Sequence, residues 1–309
     1  MSDLPVIGIV GGGLIGMSWA ALALACGAEV IVVDPRPEAE AETRDFIAAA
    51  WQHLRALDIA TGGTPPRARV TADMSALADA GFVQECGPDR IGVKHDIVAR
   101  IEAAVGAQVV IASSTSSLMA SDIQARARHP DRILVGHPMN PPHLVPMVEL
   151  VAGRATSQAA MDTAEQMYLA LHRVPIRVKK ELPGHLANRL TAALYREAVH
   201  IAAEGIADVA DIDRAIAYGP GMRWALMGPH LIYHLGGGAG GYRHYLDHLG
   251  PTQEARWKAL GTPSLSPQVR ETLVAGVEAE LAQTDKTTLT ARRDDALVAL
   301  AKLKQTYGF

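Results

Sequence analysis

Two periodicities divide the chain. Between residues 5 and 180, short apolar runs alternate with longer stretches of mixed polarity. The runs PVIGIV (5–10), AEVIVVD (28–34), GFVQEC (81–86), QVVIASS (108–114), RILVGH (132–137), MVELV (147–151) and VPIRVKK (174–180) read as strands. Continuous apolar runs of this length are what a parallel sheet buries on both faces. A further short strand follows the turn residues of TGGTPPRARV (61–70). Helical segments fall between them: MSWAALALACG, residues 38–58, the later part of 87–105, and 157–172. This alternation predicts a doubly wound α/β sheet whose ligand lies at the C-terminal ends of the strands.

After the turn ELPGH (181–185) the pattern changes. Leu186, Leu190, Ala193, Leu194 and Ile201 recur at helical spacing. DVADIDRAIAYG (208–219) reads as a helix that opens at an Asp suited to N-capping and closes at Gly219. Residues 220–250 mix turns with helical pieces, and the tail from Pro267 to Tyr307 reads as helical with a break around Thr284 to Thr290. The expectation is an α/β domain over residues 1–183 and an all-helical domain over 184–309, without repeats or low-complexity linkers.

Composition narrows the partners. A chain of 309 residues with 49% hydrophobic and 20% charged residues is of ordinary globular character and long enough for two cores. A net charge of −4, with scattered Lys and Arg, leaves no basic footprint for nucleic acid or a membrane surface. The opening MSDLPVIGIVGGG has no basic leader region, and the apolar stretches are too short to span a bilayer. Cys26 and Cys86 form no metal-binding spacing and suit a reducing compartment, so the cytoplasm is expected.

The first strand runs into GGGLIG, which places Gly11, Gly13 and Gly16 in a G-x-G-x-x-G frame around Leu14 and Ile15. A helix and a second strand ending at Asp34 follow. Strand, glycine turn, helix, strand and terminal acid together are the signature of a dinucleotide site. Gly11 permits the tight turn, Gly13 admits the pyrophosphate, and Gly16 lets the helix pack on the strand. Asp34 would accept from the ribose hydroxyls and would repel a 2′-phosphate, which favours NAD. Arg36, two residues on, is the feature that speaks for NADP.

The chemistry gathers between Ser113 and Glu149. A hydroxyl cluster (Ser113, Ser114, Thr115, Ser116, Ser117) ends one strand, His137 ends the next, and Glu149 sits inside an apolar run. A hydroxyl, an imidazole and a carboxylate can bind an alcohol, remove its proton and hold the base in one tautomer. A carboxylate in the MVELV strand needs a partner, and His137, an Arg or backbone N–H groups would each serve. His230 with His234, and His244 with His248, have i,i+4 spacing. No Cys, Asp or Glu completes either pair at standard spacing, so no metal site is expected.

The motifs STSSL (114–118), HPMNP (137–141), VE (148–149) and GHLANR (184–189), with the glycine turn, resemble those of the 3-hydroxyacyl-CoA dehydrogenase family over essentially the whole chain. The resemblance implies NAD-dependent oxidation of an L-3-hydroxy acid. It assigns His137 as base, Glu149 as the group that orients it, and Ser116 and Asn188 as hydrogen-bonding partners of the substrate oxygen. It places Asp89 and Lys94 at the nicotinamide ribose and implies a homodimer formed through the helical domain. Asp89 stands where the family usually has Glu, and Gly87 where it has a branched residue. GPGMRWALMGP (219–229) resembles the branch acting on small free acids of the L-gulonate and L-carnitine type. There Arg223 would anchor a substrate carboxylate and Trp224 could face a quaternary ammonium, with ion pairing and core packing as their ordinary alternatives. An L-3-hydroxyacyl-CoA dehydrogenase and a catalytically silent, crystallin-like NAD-binding protein are the other readings. The decarboxylating β-hydroxyacid dehydrogenases are set aside, because Gly184 stands where they carry Lys.

Overall fold

The computed structural model describes residues 4–309; the first three residues of the stretch read as carrying no leader lie outside the described residues. The chain forms two compact units, one ending at Arg189 and one running from Leu190 to Phe309.

The first unit is built on eight strands: β1 (Val6–Val10), β2 (Val30–Val33), β3 (Arg69–Thr71), β4 (Ala80–Glu85), β5 (Val110–Ser113), β6 (Ile133–Pro138), β7 (Met147–Ala152) and β8 (Val174–Val178). Their order across the sheet is β3-β2-β1-β4-β5-β6-β7-β8. Strand order reverses at β1, which lies between β2 and β4, and that is where an open α/β sheet leaves a ligand crevice. Neighbours pair in parallel except β6 with β7, which are antiparallel. The expected doubly wound sheet is present, and two reversed strands, β7 and β8, extend it.

Side chains alternate between the sheet's two faces, as a two-residue period requires. Ile7, Ile9, Val30, Val32 and Phe82 join one core with α1 (Leu14–Ala25) and α5 (Gln158–Ala170). Val10, Ile31, Val33 and Val83 join a second core with α3 (Ile91–Ala104) and α4 (Ala120–Gln124). Each fully buried Ile, Leu or Phe contributes roughly 1.5–3 kcal/mol. Packing on both faces therefore fixes the strand ends that carry the site. Helix α2 (Ala39–Ala56) presents Ile47, Ala50, Trp51 and Leu54 to the first core. Register sets Val10 level with Val33 and Glu85, and Glu85 level with Ser113. Gly11, Asp34, Cys86 and Ser114 consequently begin one continuous rim.

Helix α6 (Ala187–Ala203) crosses the boundary between the units. The second unit continues through α7 (Val209–Tyr218), α8 (Pro220–Trp224), α9 (Pro229–Gly236), α10 (Gly241–Ala259), α11 (Pro267–Glu280) and α12 (Lys286–Tyr307). Tyr233 of α9 stacks on Tyr245 of α10 with ring centroids 4.5 Å apart. Buried apolar side chains are sparse, chiefly Val199, Ala202, Ile212, Tyr245 and Val298, while Leu190, Met222, Leu235, Trp257 and Tyr307 are exposed.

The break in the tail falls earlier than expected. Asp285 caps α12 by accepting from Thr288 N, so the threonines around it start the helix instead of interrupting it. Asp208 stands at the start of α7 but makes no side-chain cap bond.

Candidate active site

The glycine turn has the geometry that its sequence implies. Gly11 has φ +106°, and a Cβ there would meet the Cys86 carbonyl oxygen at 2.7 Å. A Cβ at Gly16 would lie 1.9 Å from the Gly11 oxygen, whereas one at Gly13 would meet nothing within 4 Å. The turn therefore packs tightly beneath and stands open above. Helix α1 begins there with no side-chain cap and no acidic residue in its first turn. Its leading N–H groups and dipole are available to an anion, and so the residues fit a pyrophosphate. Leu14 is exposed beside the turn and Ile15 lines the adjoining cleft.

Asp34 is buried at the end of β2 and accepts from Gly12 N (2.7 Å), Arg36 N (2.9 Å) and Arg36 Nε (3.0 Å). A carboxylate offers about four acceptor positions, leaving one for a ribose hydroxyl. The Arg36 guanidinium also donates to Glu42 at 2.9 Å and to the Gly12 carbonyl at 3.0 Å. The cation that speaks for NADP in the sequence is thus paired with three carboxylates, Asp34, Glu42 and, at 3.6 Å, Glu38.

Across the crevice, Lys94 and Glu85 form a buried ion pair, with Nζ at 2.9 and 2.7 Å from the two carboxylate oxygens. Glu85 also accepts from Ser113 Oγ (2.5 Å) and Gly87 N (2.6 Å), and Lys94 donates to the Gly87 carbonyl (2.8 Å). The ammonium's three N–H donors are occupied within this cluster. Lys94 fixes the 86–89 rim loop and lies 3.6 Å from Asp89 Oδ1. A Cβ at Gly87 would lie 2.4 Å from Ile97 Cδ1 and 2.9 Å from Glu85 Oε1, so the rim loop packs closely on both side chains here. Glu85 is not among the residues that the sequence motifs mark. Its signal is the one that marks Glu149, a carboxylate inside an apolar strand.

Asp89 accepts from Ser116 N (3.1 Å), Ser116 Oγ (3.2 Å) and Ser117 Oγ (3.2 Å). Burial acts to raise its carboxyl, but hydrogen bonds from Thr115 and Ser116 and the charge of Lys94 outweigh it and hold the group below the usual range. Because the Ser116 hydroxyl gives its proton to Asp89, its oxygen is left as an acceptor. Asn188 Nδ2 donates to the Ser116 carbonyl at 3.2 Å and retains a second N–H.

His137 and Glu149 are cross-strand partners in the antiparallel pair. His137 Nδ1 lies 2.7 Å from Glu149 Oε2. A carboxylate can only accept, so the proton is assigned to Nδ1 and the lone pair to Nε2. Glu149 is wholly buried, which costs several kcal/mol for an ion without partners. Its other oxygen accepts from Leu186 N (2.6 Å) and Ala187 N (2.9 Å) as α6 begins. Burial acts to raise its carboxyl, yet the His137 bond and these two N–H groups hold it below the ordinary carboxylate range. Of the partners that the sequence leaves open for this carboxylate, the structure uses His137 and backbone N–H groups together.

These elements surround a cleft of about 480 Å³ lined by Ile15, Cys86, Asp89, Ser116, His137 and Asn188 among others. Burial pushes the Cys86 thiol up to about 12, so this wall residue is no nucleophile near neutrality. Arg223 and Trp224 sit in α8 of the helical unit, with Trp224 partly exposed. In that unit His230 Nδ1 lies 2.9 Å from Tyr242 Oη, His234 Nδ1 accepts from Tyr242 N, and His244 stacks on His248.

Known proteins match this layout from end to end. An L-carnitine dehydrogenase of Nocardiopsis dassonvillei is 44% identical over 297 residues, covering 96% of this chain and 90% of its own. One from Pseudomonas aeruginosa is 40% identical over 314 residues, covering 100% and 98%. Among solved structures, 5-formyl-3-hydroxy-2-methylpyridine 4-carboxylic acid 5-dehydrogenase, an NAD+-dependent dismutase, superimposes with a TM-score of 0.84 at 28% identity, covering 98% and 99%. A dinucleotide turn opening onto a cleft at the sheet ends is the layout of NAD-dependent oxidoreductases that act on CH–OH groups, and this protein is one of them. It belongs to the 3-hydroxyacyl-CoA dehydrogenase family, whose NAD-binding domain matches residues 6–182 and whose C-terminal domain matches residues 184–266. The resemblance read from the STSSL, HPMNP, VE and GHLANR motifs is borne out.

Proposed function

We propose that the protein oxidises a small L-3-hydroxy acid of the L-carnitine type to its 3-keto acid, with His137 as general base. The observation that carries this reading is the His137–Glu149 pair: one carboxylate oxygen at 2.7 Å from Nδ1, the other held by two backbone N–H groups. That arrangement keeps Nε2 unprotonated and ready to take the substrate's hydroxyl proton. Glu149 stays ionised and stabilises the imidazolium that forms. With the hydroxyl proton directed to Nε2, Ser116 Oγ turns its own proton from Asp89 to the substrate oxygen, and the second Nδ2–H of Asn188 donates to the same oxygen as it becomes a carbonyl. The 11–16 turn and Asp34 would hold NAD, with Asp89 toward the nicotinamide ribose, and the bound cofactor would supply the acceptor for the hydride leaving C3. Lys94 serves indirectly by fixing the rim loop. Proton transfer to a positioned base contributes about 10²–10⁴-fold to the rate.

The L-carnitine dehydrogenases among the relatives favour a zwitterionic substrate. Arg223 would meet its carboxylate in a bidentate pair, and Trp224 its quaternary ammonium. On this reading residues 1–183 bind the cofactor and 184–309 bind the acid and form a homodimer. The exposed Leu190, Met222, Leu235 and Trp257 of the helical unit suit burial against a second copy. Free Cys26 and Cys86 accord with a cytoplasmic enzyme.

NADH formation at 340 nm with L-carnitine, L-gulonate, L-3-hydroxybutyrate and L-3-hydroxybutyryl-CoA tests the proposal. L-Carnitine is expected to give the highest kcat/KM. Preference for the CoA ester would replace the small-acid reading, and NAD binding without turnover of any of the four would replace the enzyme with a binding protein.

A further inference from the structure

His185, unmarked by the sequence motifs, concentrates several unusual features beside the base. It is 1% exposed, and its ring centroid lies 5.1 Å from that of His137 with the planes tilted by 45°. Its backbone has φ +49°, directly after Gly184 at φ +77°, a left-handed pair in which the second member is not glycine. Its Nε2 lies 3.2 Å from the Thr115 carbonyl, which can only accept, so Nε2 carries the proton. Its Nδ1 is buried with no hydrogen-bond partner among the described residues. Charging this ring would create a buried N–H with nothing to receive it.

The neighbours explain what such a residue does. Four consecutive positions grip the two halves of the site: His185 holds the Thr115 carbonyl, Leu186 N and Ala187 N hold Glu149, and Asn188 holds the Ser116 carbonyl. Of these, His185 bonds the hydroxyl loop and packs beside the base ring with one side chain. We infer that His185 is a positioning residue: it stays neutral, ties the Ser116 loop to the His137 ring, and so fixes the distance between the group that receives the alcohol and the group that deprotonates it. The titratable groups facing it are His137, Glu149 and Asp89. Burial and the neighbouring His137 act to lower its pKa, and together they exceed the opposing pull of the Thr115 bond and the two carboxylates. The inference rests on the reading of His137 as the base.

The test compares His185→Phe, which keeps a ring and loses the donor, with His185→Gln, which keeps a donor and loses the ring. Each is made alone and with Ser116→Ala, and NADH affinity and melting temperature are followed alongside. Misplacing reacting groups by part of an ångström costs on the order of 10- to 100-fold. His185→Phe should therefore lower kcat by at least about tenfold, with NADH affinity nearly unchanged, and His185→Gln should recover most of the loss. In the Ser116→Ala background the Phe substitution should cost less than about twofold, because the residue acts through that loop.

Activity of His185→Phe within about twofold of wild type, with His137→Ala inactive, would overturn this inference and leave the base assignment standing. A full, multiplicative loss in the Ser116→Ala background would also overturn it. Should His185→Phe fail to fold, His185→Gln decides: near-wild-type kcat supports the hydrogen bond, and a tenfold loss contradicts it. An active His137→Ala enzyme would instead remove the reading on which the inference stands.

Discussion

His137 and Glu149 stand directly opposite each other where the sheet reverses direction, and their side chains meet at 2.7 Å. Twelve residues of sequence separate them. The chain crosses that interval by turning back after Pro138 and returning as β7, antiparallel to β6. Directly opposed residues project to the same face, so the register itself delivers the carboxylate to the imidazole.

Glu149→Gln isolates this relationship. The amide oxygen of the introduced side chain would remain the acceptor for Leu186 N and Ala187 N, which turns its NH2 toward His137 Nδ1. Nδ1 must then accept, and the proton moves to Nε2, the nitrogen required as base. The expected loss in kcat is about 10³–10⁴-fold, the scale on which a wrong tautomer acts. Steady-state assay at saturating NAD checks this, and a loss below about tenfold would show that tautomer control is unimportant.

Asp34→Ser tests the cofactor side. It removes a carboxylate from Gly12 N and from Arg36, freeing that guanidinium to meet a 2′-phosphate. Hydrogen bonds to charged groups are worth about 1.5–3 kcal/mol, so kcat/KM with NAD should fall roughly 10- to 100-fold while that with NADP rises. An unchanged ratio of the two would mean that Asp34 does not set the preference.

The Glu85–Lys94 pair should behave as a buried unit. Lys94→Met leaves an uncompensated carboxylate between Ser113 and Gly87 and should destabilise the protein by about 3–5 kcal/mol in urea unfolding. Adding Glu85→Gln should restore much of that loss. Equal stability of the single and double variants would contradict the pairing.

Stability should also decline with acid in two stages. His185 and Glu149 both have pKa values below their ordinary ones in the fold. The contribution of each is complete above its unfolded value and is lost as pH falls through the folded one. The melting temperature should begin to drop below about pH 6.5 because of His185, and drop again below about pH 4.5 because of Glu149. His185→Phe should flatten the first decline, and an unaltered curve would show that this histidine does not titrate with unfolding.

The order of strands and helices was legible because burial on both faces leaves unbroken apolar runs, and because the glycine frame fixes its own turn. Ser116, His137, Glu149 and Asn188 were legible through the motif resemblance. The roles of Glu85 and His185 were not, since each depends on contacts between segments: Glu85 needs Lys94 a helical turn beyond the strand, and His185 needs the Thr115 carbonyl 70 positions away. The break at Thr284 was legible but not its short extent, because Asp285 caps the next helix and draws Thr287, Thr288 and Thr290 into its first turns.

The most direct test of the account is NADH formation by wild type and His137→Gln with a saturating L-3-hydroxy acid, in parallel with NADH binding measured by fluorescence. Binding should be unchanged, while kcat falls by at least about 10²-fold. A His137→Gln enzyme that retains wild-type kcat would contradict the assignment of His137 as the base.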